Sequence, residues 1–317
     1  MKLIKSLWIA FCLMWQSVFA TTWDEPWQDK IMKEADYFVF AKVLSVDEEK
    51  GMRIKIIKQL AGSKLDKEIF ISGFYLLRIC SMSGGHGPEF KFETNDELYL
   101  FIKQDKKGNY EIPTPTSGFA YIYENKVAAT YRHSYHQALI DIETYEKTMI
   151  AIFNNYHNQS YDKKYINSLI DKYLGIQPVK PSKENMETFY YQHVALECIY
   201  HLRLTGFFEK INPFVDFEDN PHLQISAVRA LIAYNTQESK NILMKFIENK
   251  ETPPFLQVMC IWSLRELKPK ELKEKLQKIS LTASEEDSGF GGNFMDPRVC
   301  THVPTVKEAI EELVSTL

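Results

Sequence analysis

From residue 35 to about residue 132, apolar and polar positions alternate in short runs. Tyr37 to Val46 is β-branched and aromatic, and Arg53-Ile54-Lys55-Ile56 alternates with the two-residue period that sets one face of a strand on a core. Further strands are expected over 68–72, 89–92, 98–103, 108–112, 118–123 and 126–131. Turn chemistry at Glu49-Lys50-Gly51, Lys107-Gly108-Asn109 and Glu124-Asn125 separates them. Strands this short and this closely spaced predict a small antiparallel β-barrel or sandwich rather than a parallel sheet.

After Arg132 the period becomes helical. With Ser134 as cap, the spacing predicts a helix to about Tyr156, carrying Leu139, Ile142, Tyr145, Met149, Ile152 and Phe153 on one face. A second helix is expected from Asp162 to Leu174, ending at Gly175. Gln177 to Ser182, with Pro178 and Pro181, reads as a linker.

Beyond the linker, three octads align without gaps: Gln192 to Ile199, Gln224 to Leu231 and Gln257 to Leu264, offset by 32 and 33 residues. Each has a small residue at the fourth position (Ala195, Ala227, Cys260) and at the seventh (Cys198, Ala230, Ser263). Closely stacked helices need small residues at their contacts, so the period predicts stacked helix pairs. Second helices are expected after the second and third copies, at 237–248 behind a Thr236 cap and at 270–279 behind Pro269. A terminal helix capped by Thr305 closes the array. The expected fold class is α+β, with a barrel domain over 21–133, connecting helices over 134–176 and a helical-repeat domain over 177–317.

The octads resemble HEAT-type repeats, and Ala227-Val228-Arg229-Ala230-Leu231 is similar to that family's core motif. The resemblance implies an α-solenoid and a surface that binds a protein or peptide. In the amino-terminal half, a strand ending Ala41-Lys42-Val43, an alternating strand running into Leu60-Ala61-Gly62, a cysteine, and then Asn95-Asp96-Glu97-Leu98-Tyr99-Leu100-Phe101 resemble netrin-like domains. That likeness implies an OB-type barrel of a secreted protein and protease inhibition as one reading. Inhibitory members begin with a cysteine that chelates the target's zinc, whereas this mature chain would begin Thr21-Thr22-Trp23.

The first twenty residues carry Lys2 and Lys5, an apolar run to Phe19 and a small residue at Ala20, the three-part pattern of a cleaved secretory signal. The expected location is therefore secreted or periplasmic, with no transmembrane segment after cleavage. Over 317 residues the formal net charge is −4, and loss of Lys2 and Lys5 moves it to −6. Neither value suits a dedicated nucleic-acid binder, which neutralises phosphates with a basic face. No Gly-x-Ser-x-Gly elbow, phosphate loop, dinucleotide fingerprint or His-Glu-x-x-His helix is present, so no cofactor is expected.

Four cysteines remain after cleavage. Cys198 and Cys260 sit at small-residue core positions and read as free buried thiols. Cys80 and His86 lie in a Gly-rich loop, and Cys300 and His302 close a long insertion from residue 285. If the two segments meet, these four are candidate metal ligands of a zinc-binding protein or metal-dependent enzyme, and Cys80 with Cys300 a candidate disulfide. His133 and His136 read as solvated. The leading expectation is a non-catalytic interaction or scaffold protein.

Overall fold

The computed structural model describes residues 23–24, 26–47, 50–72, 92–114, 117–134, 136–286, 299–300 and 303–317. They form an α+β protein: an amino-terminal barrel with additional strands, followed by helices. The expected signal, residues 89–91 of the strand expected over 89–92, Cys80, His86 and His302 fall outside the described residues.

Strands β1 (Trp23–Asp24), β2 (Tyr37–Asp47), β3 (Gly51–Gly62), β4 (Glu68–Ser72), β5 (Glu97–Gln104) and β6 (Tyr110–Glu111) follow in chain order. The last five close a barrel in the order β2-β3-β4-β6-β5, with β5 returning to β2. All barrel pairings are antiparallel except β4 with β6. Gly51 turns the chain from β2 into β3 at φ +133°, where a Cβ would stand 1.9 Å from the Ile71 carbonyl oxygen. The barrel interior takes alternate residues: Val39, Ala41 and Val43 from β2, Met52 and Ile54 from β3, Leu98, Leu100 and Ile102 from β5. The intervening Phe38, Tyr99 and Phe101 point outward and are also buried, because a second core lies over that face. The unbroken apolar run of β5 is thus a strand covered on both sides.

That face is widened by β7 (Phe119–Tyr123), β8 (Lys126–Thr130) and β9 (Gln137–Asp141), which extend the sheet from β5. Strand β9 corrects the helix expected from Ser134. Ala138 and Ile140 are buried with the period of a strand, and the helix begins only after Asp141. Asp141 is its cap, accepting from the Thr144 amide at 2.8 Å and the Thr144 hydroxyl at 2.7 Å. A short helix, α1 (Gln28–Glu34), precedes β2, and α2 (Ile142–Tyr156) lies on the sheet with Tyr145 against Tyr99 and Phe38.

The remaining helices are α3 (Lys163–Leu174), α4 (Met186–Leu202), α5 (Phe208–Val215), α6 (Pro221–Ala230), α7 (Gln237–Glu248), α8 (Pro254–Leu267), α9 (Lys273–Ser280) and α10 (Val306–Thr316). Two of the expected caps are present: Thr236 and Thr305 each form a reciprocal capping box, with Ser239 and Glu308. Helices α4, α6, α8 and α10 stack side by side in one row. Each packs against the helix before it in sequence: α3 on α4, α5 on α6, α7 on α8, α9 on α10.

This reverses the phase expected from sequence, in which each octad led its pair. The first residue of each octad sets the phase. Gln192 donates to the carbonyls of Tyr173, Ile176 and Gln177, Gln224 to Val215, and Gln257 to Phe246, Ile247 and Asn249. In every case a side-chain amide satisfies orphan carbonyls at the carboxyl end of the preceding helix. The row positions hold Ala195, Ala227, Cys260, Cys198 and Ala230 at full burial. Cys198 and Cys260 are free thiols, as the sequence implied.

Candidate functional site

The helix row meets the sheet at the sixth octad position, which carries Glu197 on α4, Arg229 on α6 and Trp262 on α8. Glu197 is fully buried and receives the Arg229 guanidinium at 3.3 Å. Trp27, just ahead of α1, reaches across: its ring lies 5.4 Å from the Arg229 guanidinium and 5.5 Å from the Trp262 ring. The Arg229 guanidinium also stacks on Tyr200 at 3.8 Å, a cation–π contact in a site away from water.

From the sheet side, the segment after β8 supplies Tyr131, Arg132 and His133, all buried. His133 packs edge-on against Trp27 at 5.2 Å, so the expectation that it is solvated does not hold: the chain runs under the helix row here instead of starting a helix. The Tyr131 carbonyl meets His201 Nε2 at 2.6 Å, and the Arg132 carbonyl accepts from the Gln28 amide at 2.9 Å.

Arg132 is the centre of the cluster. Its Nη1 donates to the His222 carbonyl and to Ser226 Oγ, each at 3.2 Å, and lies 4.0 Å from Glu197 Oε1. Ser226 in turn donates to Glu197 Oε1 at 2.7 Å. Since the hydroxyl proton goes to the carboxylate, His193 Nδ1, 3.0 Å from the same hydroxyl, must carry a proton and donate. This order differs from a hydrolase relay, where imidazole stands between serine and acid and takes the serine proton. The Ser226, His193 and Glu197 trio is therefore not arranged as that relay.

Electrostatics follow burial. Desolvation pushes Arg132 down to about 10, partly offset by Glu197. Burial pushes His193 down to about 3 against the pull of Glu197, so its ring is neutral near pH 7. Burial alone would raise the Glu197 carboxyl, but the Arg229 and Arg132 charges outweigh it and hold it below the ordinary glutamate value.

The cluster opens at one side into a cleft of about 180 Å³ between the start of β9 and helices α4 and α6. Arg132, His136, His193 and His222 form its polar wall, and Met186, Phe189 and Tyr190 its apolar one. The His136 and His222 rings are 4.9 Å apart, and both are held below the ordinary histidine value by burial and then by the Arg132 charge. Arg132 is completely buried, yet its Nε and Nη2 atoms have no hydrogen-bond partner, nor has His193 Nε2. Nε and Nη2 share one edge of the guanidinium, the edge that accommodates a carboxylate with two parallel bonds.

Of the candidate metal or disulfide residues, Cys80, His86 and His302 lie outside the described residues, and Cys300 is described only in its backbone. There β10 (Val299–Cys300) pairs in parallel with β1. Among the described residues no group of three or more histidine, cysteine or acidic side chains is placed to hold a metal ion. No described helix is long and apolar enough to cross a membrane. Comparisons with protein-family models, with curated proteins and with solved structures give no match. The cleft itself was missed in the sequence, where Arg132, His193 and His222 are widely separated; only the switch from aliphatic residues to Glu197, Arg229 and Trp262 at one octad position marked the junction.

Proposed function

We propose that the protein is a secreted or periplasmic binding protein without catalytic activity, which presents its helical array to a protein or peptide partner. The observation that carries the reading is the repeated glutamine clamp: Gln192, Gln224 and Gln257 each tie a helix to the one before it. Such ties make a row of pairs with fixed spacing, the property that lets stacked repeats offer an extended recognition surface. The paired helices with small residues at their contacts support a HEAT-like solenoid. The barrel order β2-β3-β4-β6-β5, closed on β2 and with one parallel pairing, supports an OB-type barrel, a fold used widely for binding.

The test is affinity capture from envelope or secreted extract, with a control in which exposed array charges are reversed (Lys245→Glu, Glu248→Lys, Lys275→Glu). One protein, identified by mass spectrometry, should be captured by the native chain and lost with the control, whose melting and circular dichroism stay unchanged. Capture that is equal with both, or absent from both, contradicts the reading.

A further inference from the structure

We infer that the cleft beside Arg132 is a binding site for an α-amido carboxylate with an apolar side chain, the chemistry of an N-acylated amino acid or a polypeptide carboxyl terminus. The inference is independent of the partner surface proposed above.

A guanidinium with no exposure and two unused donors is an unstable arrangement unless something meets them, since each buried unpaired donor forfeits the hydrogen bond it had in water. The cluster neutralises Arg132 only in part. Glu197 is engaged more closely by Arg229, at 3.3 Å, than by Arg132, at 4.0 Å. Nη1 is used on the His222 carbonyl and Ser226, which fixes the plane of the guanidinium and leaves the Nε and Nη2 edge as its remaining face. A carboxylate supplies both missing acceptors and the missing negative charge at once.

His193 narrows the choice. Its Nδ1 donates to Ser226, so its unpartnered Nε2 is an acceptor and calls for a donor on the ligand. His193 and Arg132 are both bonded to the Ser226 hydroxyl and both line the cleft, so one ligand there faces an acceptor residue and a donor residue. An amide N–H one carbon from a carboxylate presents the complementary pair. Phe189, Tyr190 and Met186 then provide an apolar wall for the side chain, in a volume well above the ~10–15 Å³ that one water needs.

The experiment is calorimetric titration of the full mature chain with N-acetyl-phenylalanine, with its primary amide and with acetate, alongside a hexapeptide ending in free phenylalanine and the same peptide amidated. The acid should bind, and the amide should bind at least roughly tenfold more weakly, the scale of a lost charged hydrogen bond. Acetate, lacking the amide and the ring, should bind more weakly still. Binding of the free-acid hexapeptide assigns the site to polypeptide termini; its failure beside binding of the small acid assigns it to free N-acyl amino acids. Both results support the proposal. Arg132→Lys keeps charge but loses the two-bond edge, and should weaken the acid at least tenfold while leaving the amide little changed. Because that variant also removes buried hydrogen bonds that support the fold, the Arg132 side-chain Nε–H resonance of the native protein is followed as well and should shift on adding the acid. Equal binding of acid and amide, or no shift of that resonance at saturating acid, overturns the inference.

Discussion

Glu197 and Arg229 hold the same position in consecutive helix repeats and meet in the buried junction at 3.3 Å. Neither is a surface ion pair. Each has been taken out of water, and each depends on the other and on Arg132, Ser226 and Tyr200 for compensation. The junction is thus a place where single substitutions act strongly.

Glu197→Gln keeps the shape and removes the charge, leaving Arg132 and Arg229 buried with no carboxylate between them. It should destabilise the protein by about 3–5 kcal/mol, as breaking a buried ion pair does. Urea unfolding of the two proteins at pH 7 measures this. A loss under about 1 kcal/mol would mean that water reaches the cluster.

Acid should loosen the same junction. The His193 value is depressed from 6.5 to about 3 in the folded state, so between those limits the unfolded chain binds the extra proton. Stability from its neutral burial is complete above pH 6.5 and declines as pH falls towards 3. Glu197, also lowered, adds its own loss below its unfolded value of 4.5. Urea midpoints taken from pH 7 to pH 4 should fall, and the fall should be shallower, by about one proton at most, in His193→Gln.

Gln192→Ala tests the helix clamps. It orphans carbonyls at the end of α3 and releases the Val179 amide, which donates to Gln192 Oε1 at 3.2 Å. The expected cost is about 1–3 kcal/mol. Hydrogen exchange should quicken first in α3 and in the 177–182 linker; uniform quickening would show that the clamp is not local.

Cys198 and Cys260 should resist alkylation in the native protein, because burial raises both thiols and closes them to reagent. Peptide mapping after maleimide treatment, with and without denaturant, reads this. Labelling of either thiol without denaturant would place it outside the core.

Much of this fold was written in local pattern. The strand alternation, the octads with their small residues, the caps at Thr236 and Thr305 and the free thiols all follow from periods or single-residue chemistry near in sequence. Strand β9 was hidden because Leu139 and Ile142 also fit a helical stripe, and the sheet edge offered by β8 decided the contest. The pairing phase was hidden because a glutamine at a helix start says nothing of which carbonyls it will meet. Arg132 is a single basic residue in a polar stretch; its importance comes from α4 and α6 closing over it, which no local signal encodes.

The most direct test of the account is whether barrel and helices behave as one body joined at the Arg132, Glu197 and Arg229 cluster. Denaturant unfolding of the protein is followed by far-ultraviolet circular dichroism, which reports the helices, and by fluorescence, to which Trp27 and Trp262 at the junction contribute. Coincident transitions that move together in Glu197→Gln are the predicted result; two separate transitions in the native protein, with the helices intact after the junction has opened, would contradict it.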